Sequence, residues 1–254
     1  MTTPVQTFVQ VFTAGPAVAL SILVMALVAR SAGAIGRPQN LYVIAGALVL
    51  AAWFGVSTAI AGAGGFSAAV TGNLAIPLLA IALTLPVAVG VIVGLTSPAI
   101  RRLISESSIQ PGVIAVNALR IIPGSAFVVI GLLGVLPAIF AVPAGAGDVL
   151  VGSGALLAYR WISAGRWGRA LAWNVLGLVD FVNAATLGLV TTPGLLHVLQ
   201  TNPTSALFWM LPLAIVPIFM VPIYTLLHLV SLRYLVASRS KATVSRALKL
   251  EATA

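Results

Sequence analysis

The stretch LAIPLLAIALTLPVAVGVIVGLTSPAIRR, residues 74–102, decides the fold. Residues 74–96 carry no charge, and about 20 apolar helical residues are enough to cross a hydrocarbon core about 30 Å thick. The run lacks the two-residue alternation of a barrel strand. Lipid tolerates no unpaired backbone, so the segment reads as a membrane-spanning helix. It ends at Arg101 and Arg102, where the chain is expected to emerge.

The same pattern recurs along the chain. Further apolar runs cover about 11–29, 41–63, 112–135, 171–190 and 206–232, and a shorter run covers 148–163. Basic residues follow every second run: Arg30 and Arg37 after the first, Arg101 and Arg102 after the third, and Arg160, Arg166 and Arg169 at and after the short fifth. Arg233, Arg239, Lys241, Arg246 and Lys249 follow the last, while the connections between contain none. Leaving out the short run would put Arg166 and the tail on the wrong side, so it counts as a span. The positive-inside rule then predicts an all-α bundle of seven spans, N-terminus outside and C-terminus cytoplasmic, integral to a plasma (inner) membrane. Residues 1–232 form the membrane domain in this reading and 233–254 a basic cytoplasmic tail.

Composition narrows the function. Hydrophobic residues make up 60% of the 254 positions and charged residues 7%, against about a quarter charged in soluble domains. With no cysteine, two histidines and four scattered carboxylates, disulfides and thiolate chemistry are excluded and neither a metal site nor any cofactor is expected. The formal charge of +9 comes from connections and tail. That distribution speaks for membrane topology and against nucleic acid. Residues 1–16 hold no Lys or Arg, and the first charge follows the first run, so this run reads as a retained span and not as a signal peptide. The segment PAIRRLISESSIQ, 98–110, suits a short interfacial helix with Arg101 and Arg102 toward headgroups and Leu103 and Ile104 toward acyl chains. The tail is expected to lie on, or disordered near, an anionic leaflet.

Ionisable groups at membrane depth are costly and therefore mark function. Arg120 lies roughly 12 Å into the fourth run, and Asp180 roughly 16 Å into the sixth, at 1.5 Å per residue. A buried Arg120–Asp180 ion pair is predicted. Asn117 precedes Arg120 by three residues on one helix face, and Asn174 and Asn183 flank Asp180. Pro123 predicts a kink beside Arg120. Gly177, Ala184 and Gly188 continue a small-residue stripe through Asp180. Pro212, Pro217 and Pro222 predict a repeatedly kinked seventh run whose freed carbonyls need partners. His228, near the end of that run, reads as hydrogen-bonded structure.

In AVPAGAGD, 141–148, Gly145 and Gly147 suggest a turn and Asp148 the N-cap of the short fifth helix. Residues 136–147, uncharged, could dip into the membrane as a re-entrant segment covered by protein. Seven spans with the N-terminus outside are similar to the rhodopsin-like topology, which implies a retinal Schiff base on a lysine of the last span. The lysines here are Lys241 and Lys249, both in the tail, so the resemblance ends at topology. GAGDVLVG follows no strand and lacks Gly-Lys-Ser/Thr, which argues against a phosphate loop.

The leading expectation is a transporter of a small solute or ion along a seam of Asn117, Arg120, Asn174, Asp180 and Asn183. A non-catalytic membrane subunit, or an assembly or lipid-binding factor, is the alternative. An intramembrane enzyme using Asp148, Asp180 or His197 lacks a nucleophile-base pair, and the chain is expected not to be an enzyme. The expected partners are membrane lipids, through Arg101, Arg102 and the tail, and a small solute.

Overall fold

A computed structural model describes the backbone of residues 3–251 and the side chains of residues 4–239. The protein is all-helical, with 83% of residues in helix and no strand among the described residues. Seven helices are long and apolar enough to cross a membrane. They are α1 (Thr3–Ala34), α2 (Gln39–Gly62), α3 (Ala75–Thr96), α4 (Ser107–Leu132), α5 (Ala138–Ser163), α6 (Trp167–Val190) and α7 (Val221–Glu251). The connections after α1, α4 and α5 turn through Gly36, Gly134 and Gly165 in the left-handed region, which L side chains rarely adopt. α4 and α7 are the most buried spans and α2 the most exposed. Apolar side chains exposed along α2, such as Leu48 and Val49, suit contact with lipid.

The fifth span is not short. α5 begins at Ala138, directly after Pro137, and runs 26 residues to Ser163, roughly 39 Å at helical rise and enough to cross a bilayer. The expected re-entrant segment and turn at 136–147 are therefore replaced by continuous helix from Ala138 onward. Asp148 lies in its interior and caps nothing. The turn signals were overridden because an apolar surrounding requires backbone groups to bond within the segment. Gly145 and Gly147 serve close packing instead, and Pro143 is accommodated inside the helix.

The seventh span starts later than its hydropathy suggests. Residues 205–209 form a 3₁₀ turn, Val216–Met220 a π-turn, and regular α-helix begins only at Val221. Much of this irregular stretch is covered by protein, with Phe208, Trp209, Leu213, Ala214, Ile218 and Phe219 buried while Met210 and Leu211 are exposed; cover by protein is the condition under which non-helical backbone survives at membrane depth. Pro222 has no N–H to offer the carbonyl of Ile218, four residues earlier. The Nε1 of Trp53 on α2 donates to that oxygen at 2.8 Å. Trp53→Phe keeps an aromatic ring but removes the donor and part of the indole, and is expected to lower stability by at least about 1 kcal/mol. Thermal unfolding in detergent measures it, and an unchanged midpoint would mean that the carbonyl finds another partner.

The helix expected at the interface forms over Pro98–Ile104, with Ser97 Oγ accepting from Ile100 N at 3.4 Å. Arg101 and Arg102 are exposed and Leu103 is buried. Ser31 Oγ donates to the Leu103 carbonyl at 2.6 Å and ties this helix to α1. The tail backbone continues α7 as helix to Glu251; the lipid contact expected of Lys241, Arg246 and Lys249 lies outside the described side chains.

Candidate functional site

The site is built around a local change of winding in α4. Residues Gln110–Ala115 are α-helical, Val116–Arg120 are 3₁₀ and Ile121–Leu132 are α-helical again. Pro123 explains it, since it cannot donate to the carbonyl of Leu119 and the preceding turn tightens. Arg120, at the end of the tight turn, is completely buried.

Its guanidinium reaches three partners on three other helices. Nε donates to Asp148 Oδ1 on α5 at 2.7 Å and Nη2 to Asp180 Oδ2 on α6 at 2.6 Å. Nη1 lies 3.1 Å from His228 Nε2 on α7. A guanidinium only donates, so Nε2 accepts and the imidazole carries its proton on Nδ1. That proton points to Asn174 Oδ1 at 3.0 Å. Asn174 Nδ2 in turn donates to Ser231 Oγ at 3.1 Å and to the Ala170 carbonyl at 2.9 Å. One network thus runs from α4 through α7 to α6. The Arg120 Cζ also lies 4.0 Å from the ring centroid of Phe181 and 5.8 Å from that of Tyr224, in cation–π arrangements.

Small residues make this approach possible. A Cβ on Gly147 would overlap the Asp180 carboxylate, and one on Gly177 would overlap the His228 ring. Between α4 and α5 the contact is backbone to backbone. A Cβ on Gly124 would fall 2.6 Å from Asp148 Cβ and 2.8 Å from the Gly145 carbonyl. The small-residue stripe on α6 therefore shapes the site through Gly177, while Gly188 packs against Phe140 and Phe208 in the apolar core.

The predicted Arg120–Asp180 pair is present, and Asp148 joins it as a second carboxylate. Asn174 belongs to the network through His228. Asn117 is buried but bonds only to the Val113 carbonyl through Nδ2, at 3.1 Å, and its Oδ1 has no partner among the described residues. Asn183 is exposed on α6 and does not join the cluster. His197 sits in the loop after α6, bonded to neither carboxylate.

His228 is hydrogen-bonded, as the sequence suggests, but its link to Arg120 was not legible there; neither were Ser231 in the chain of bonds and Phe181 and Tyr224 as ring partners. His228 looked terminal because the seventh run was placed at 206–232; in the span Val216–Arg239 it is central. Asp148 was set at a helix end by the same kind of displacement. The usable signal was that Tyr224, His228 and Ser231 recur at spacings of four and three on one face of a helix.

Counted formally, the cluster holds one guanidinium and two carboxylates beside a neutral imidazole. With both carboxylates ionised, it would carry one negative charge more than the guanidinium neutralises. Asp148 offers its approach to the surroundings, with a side-chain exposure of 17% against 7% for Asp180 and none for Arg120.

Fold and site together define an all-helical protein whose seven long apolar helices are compatible with an integral membrane protein, with a charged centre held between four of its helices. The family described as "Domain of unknown function (DUF8737)" matches residues 76–236, more than half of the sequence, and the chain belongs to it. The match takes in every residue of the Arg120 network. No curated protein and no solved structure matches the chain.

Proposed function

We propose that the protein is an ion-coupled transporter of the plasma (inner) membrane, N-terminus outside and tail in the cytoplasm, whose charged centre binds and releases one monovalent cation. The surplus carboxylate beside Arg120 carries this reading. An unneutralised charge in a low-dielectric interior is costly, so a proton or a metal ion such as Na⁺ completes the centre. Its arrival and departure would change how Arg120 is shared between Asp148 and Asp180. Two features support the exchange of partners: the 3₁₀ turn beneath Arg120, a form of winding frequent at hinges, and the partial exposure of Asp148. Orientation rests on the alternation of basic and neutral connections.

Purified protein in liposomes, with an internal pH dye and imposed H⁺ or Na⁺ gradients, tests the proposal. Wild-type protein is expected to dissipate one gradient or to drive uptake of a solute from a panel. Asp148→Asn and Asp180→Asn, which remove the surplus charge, are expected to reduce that flux by tenfold or more, on the order of a lost catalytic carboxylate. A wild-type protein that moves neither ion and no solute, or variants as active as wild type, would refute it.

A second reading, a non-catalytic membrane subunit, draws on the complete burial of Arg120, Asn174 and His228. Such a centre would serve as a lock between helices. Copurification with a partner at fixed stoichiometry, together with absence of flux, would favour it.

A further inference from the structure

Beyond the charged centre, a separate groove opens at the end of the bundle where the basic residues gather. It encloses about 300 Å³ between α3, the interfacial helix and α7. Its walls are apolar: Val91 and Leu95 from α3, Ile104 from the interfacial helix, and Leu226, Leu229 and Val230 from α7. Glycines set how closely its walls approach. A Cβ on Gly90 would fall 2.7 Å from Leu226 Cδ2, and one on Gly94 would fall 3.4 Å from Ile104 Cδ1, so larger residues would force the walls apart and change the groove.

The groove changes character at one end. Arg233, three residues beyond Val230, forms part of its lining and is exposed. It makes no ion pair with a described residue. Arg101, also exposed, precedes Ile104 by three residues and so lies on the same face of the interfacial helix. An apolar trough about six residues deep along α3, roughly 9 Å at helical rise, thus leads to a mouth at Arg233. A purely hydrocarbon ligand would leave this charge unanswered, and a free phosphate would leave the trough empty.

We propose that the groove binds one anionic phospholipid, with an acyl chain against Val91, Leu95 and Leu229 and the phosphate at Arg233. The match of an apolar channel with a cationic mouth carries the assignment. It differs from general attraction of a basic tail to an anionic leaflet, because it requires a single stoichiometric site and depends on the glycines of α3.

Native mass spectrometry of the full chain released from detergent, titrated with phosphatidylglycerol or phosphatidylcholine of equal chain length, tests it. The first phosphatidylglycerol is expected to bind about fivefold more tightly than phosphatidylcholine, the increment of one basic side chain at an anionic surface. Arg233→Gln should abolish that preference, and Gly90→Leu should weaken the first binding event for both lipids. Gly55→Leu on α2, where nothing lies within 4 Å of an added Cβ, should alter neither. Equal binding of the two lipids, or an unchanged preference in Arg233→Gln, would overturn the proposal. So would loss of binding in Arg101→Gln/Arg102→Gln with Arg233→Gln unaffected, the signature of surface attraction. Inorganic phosphate competing as well as the lipid would overturn it too, by showing an anion site without a chain site.

Discussion

Arg120→Gln is expected to lower the stability of the detergent-solubilised protein by about 3–5 kcal/mol, the range for breaking a buried ion pair by removing one partner. The substitution leaves Asp148 and Asp180 facing each other with no cation between them and takes the donor from His228 Nε2. Asp148→Asn or Asp180→Asn should cost less. Each leaves Arg120 balanced one-to-one by the remaining carboxylate, and Asn preserves an acceptor oxygen. Combining Arg120→Gln with both Asp→Asn substitutions should recover part of the loss, because no uncompensated charge is left. Thermal unfolding followed by tryptophan fluorescence gives the order. If Asp180→Asn were as damaging as Arg120→Gln, the surplus-charge description of the centre would be wrong.

The second large effect is expected at Gly145. A Cβ there would overlap the Gly124 carbonyl and come within 2.8 Å of Val128 N. Both are backbone atoms, so no rotamer change relieves the clash. Gly145→Val must push α4 from α5, at an overpacking cost of about 1–3 kcal/mol. The separation would also stretch the Arg120–Asp148 contact, moving the total toward the cost of a broken pair. Gly15→Val on α1, where an added Cβ meets nothing within 4 Å, is the control and should change stability far less. Equal melting of the two variants would mean that the α4–α5 contact is not tight in solution.

Much of this architecture is legible in the sequence because one solvent property dominates. Segments such as 41–63 and 74–96 are uniformly apolar, and a hydrocarbon surrounding leaves helix as the sole way to satisfy their backbone. The Arg120–Asp180 pair was legible for a related reason, since isolated charges at that depth need each other. The misplaced boundaries share a cause as well. AVPAGAGD carries the turn signals of an aqueous loop, yet Pro143, Gly145 and Gly147 lie inside α5. Conversely, the apolar stretch 206–215 resembles a span, but it contains Pro212 and lies outside regular helix, partly covered by protein. Those two shifts concealed Asp148 and His228. Local turn chemistry calibrated on water does not transfer to segments buried in lipid or protein.

Arg120 precedes Asp148 by 28 residues and Asp180 by 60. In a chain that enters a bilayer as it is synthesised, α4 therefore arrives with its cation before either counter-ion exists. A central arginine opposes insertion by about 2.5–3.5 kcal/mol, so in a bilayer the stretch around Arg120 is expected to stay half-inserted or sheltered by protein until α5 and α6 follow. Glycosylation-site mapping of nascent chains would read this directly: α4 should insert less completely in a chain ending at Leu136 than in one reaching Val190. Complete insertion at the shorter length would show that α4 needs no help. The expected result would make the charged centre a constraint on the order of assembly, with α4 dependent for its place on helices not yet made.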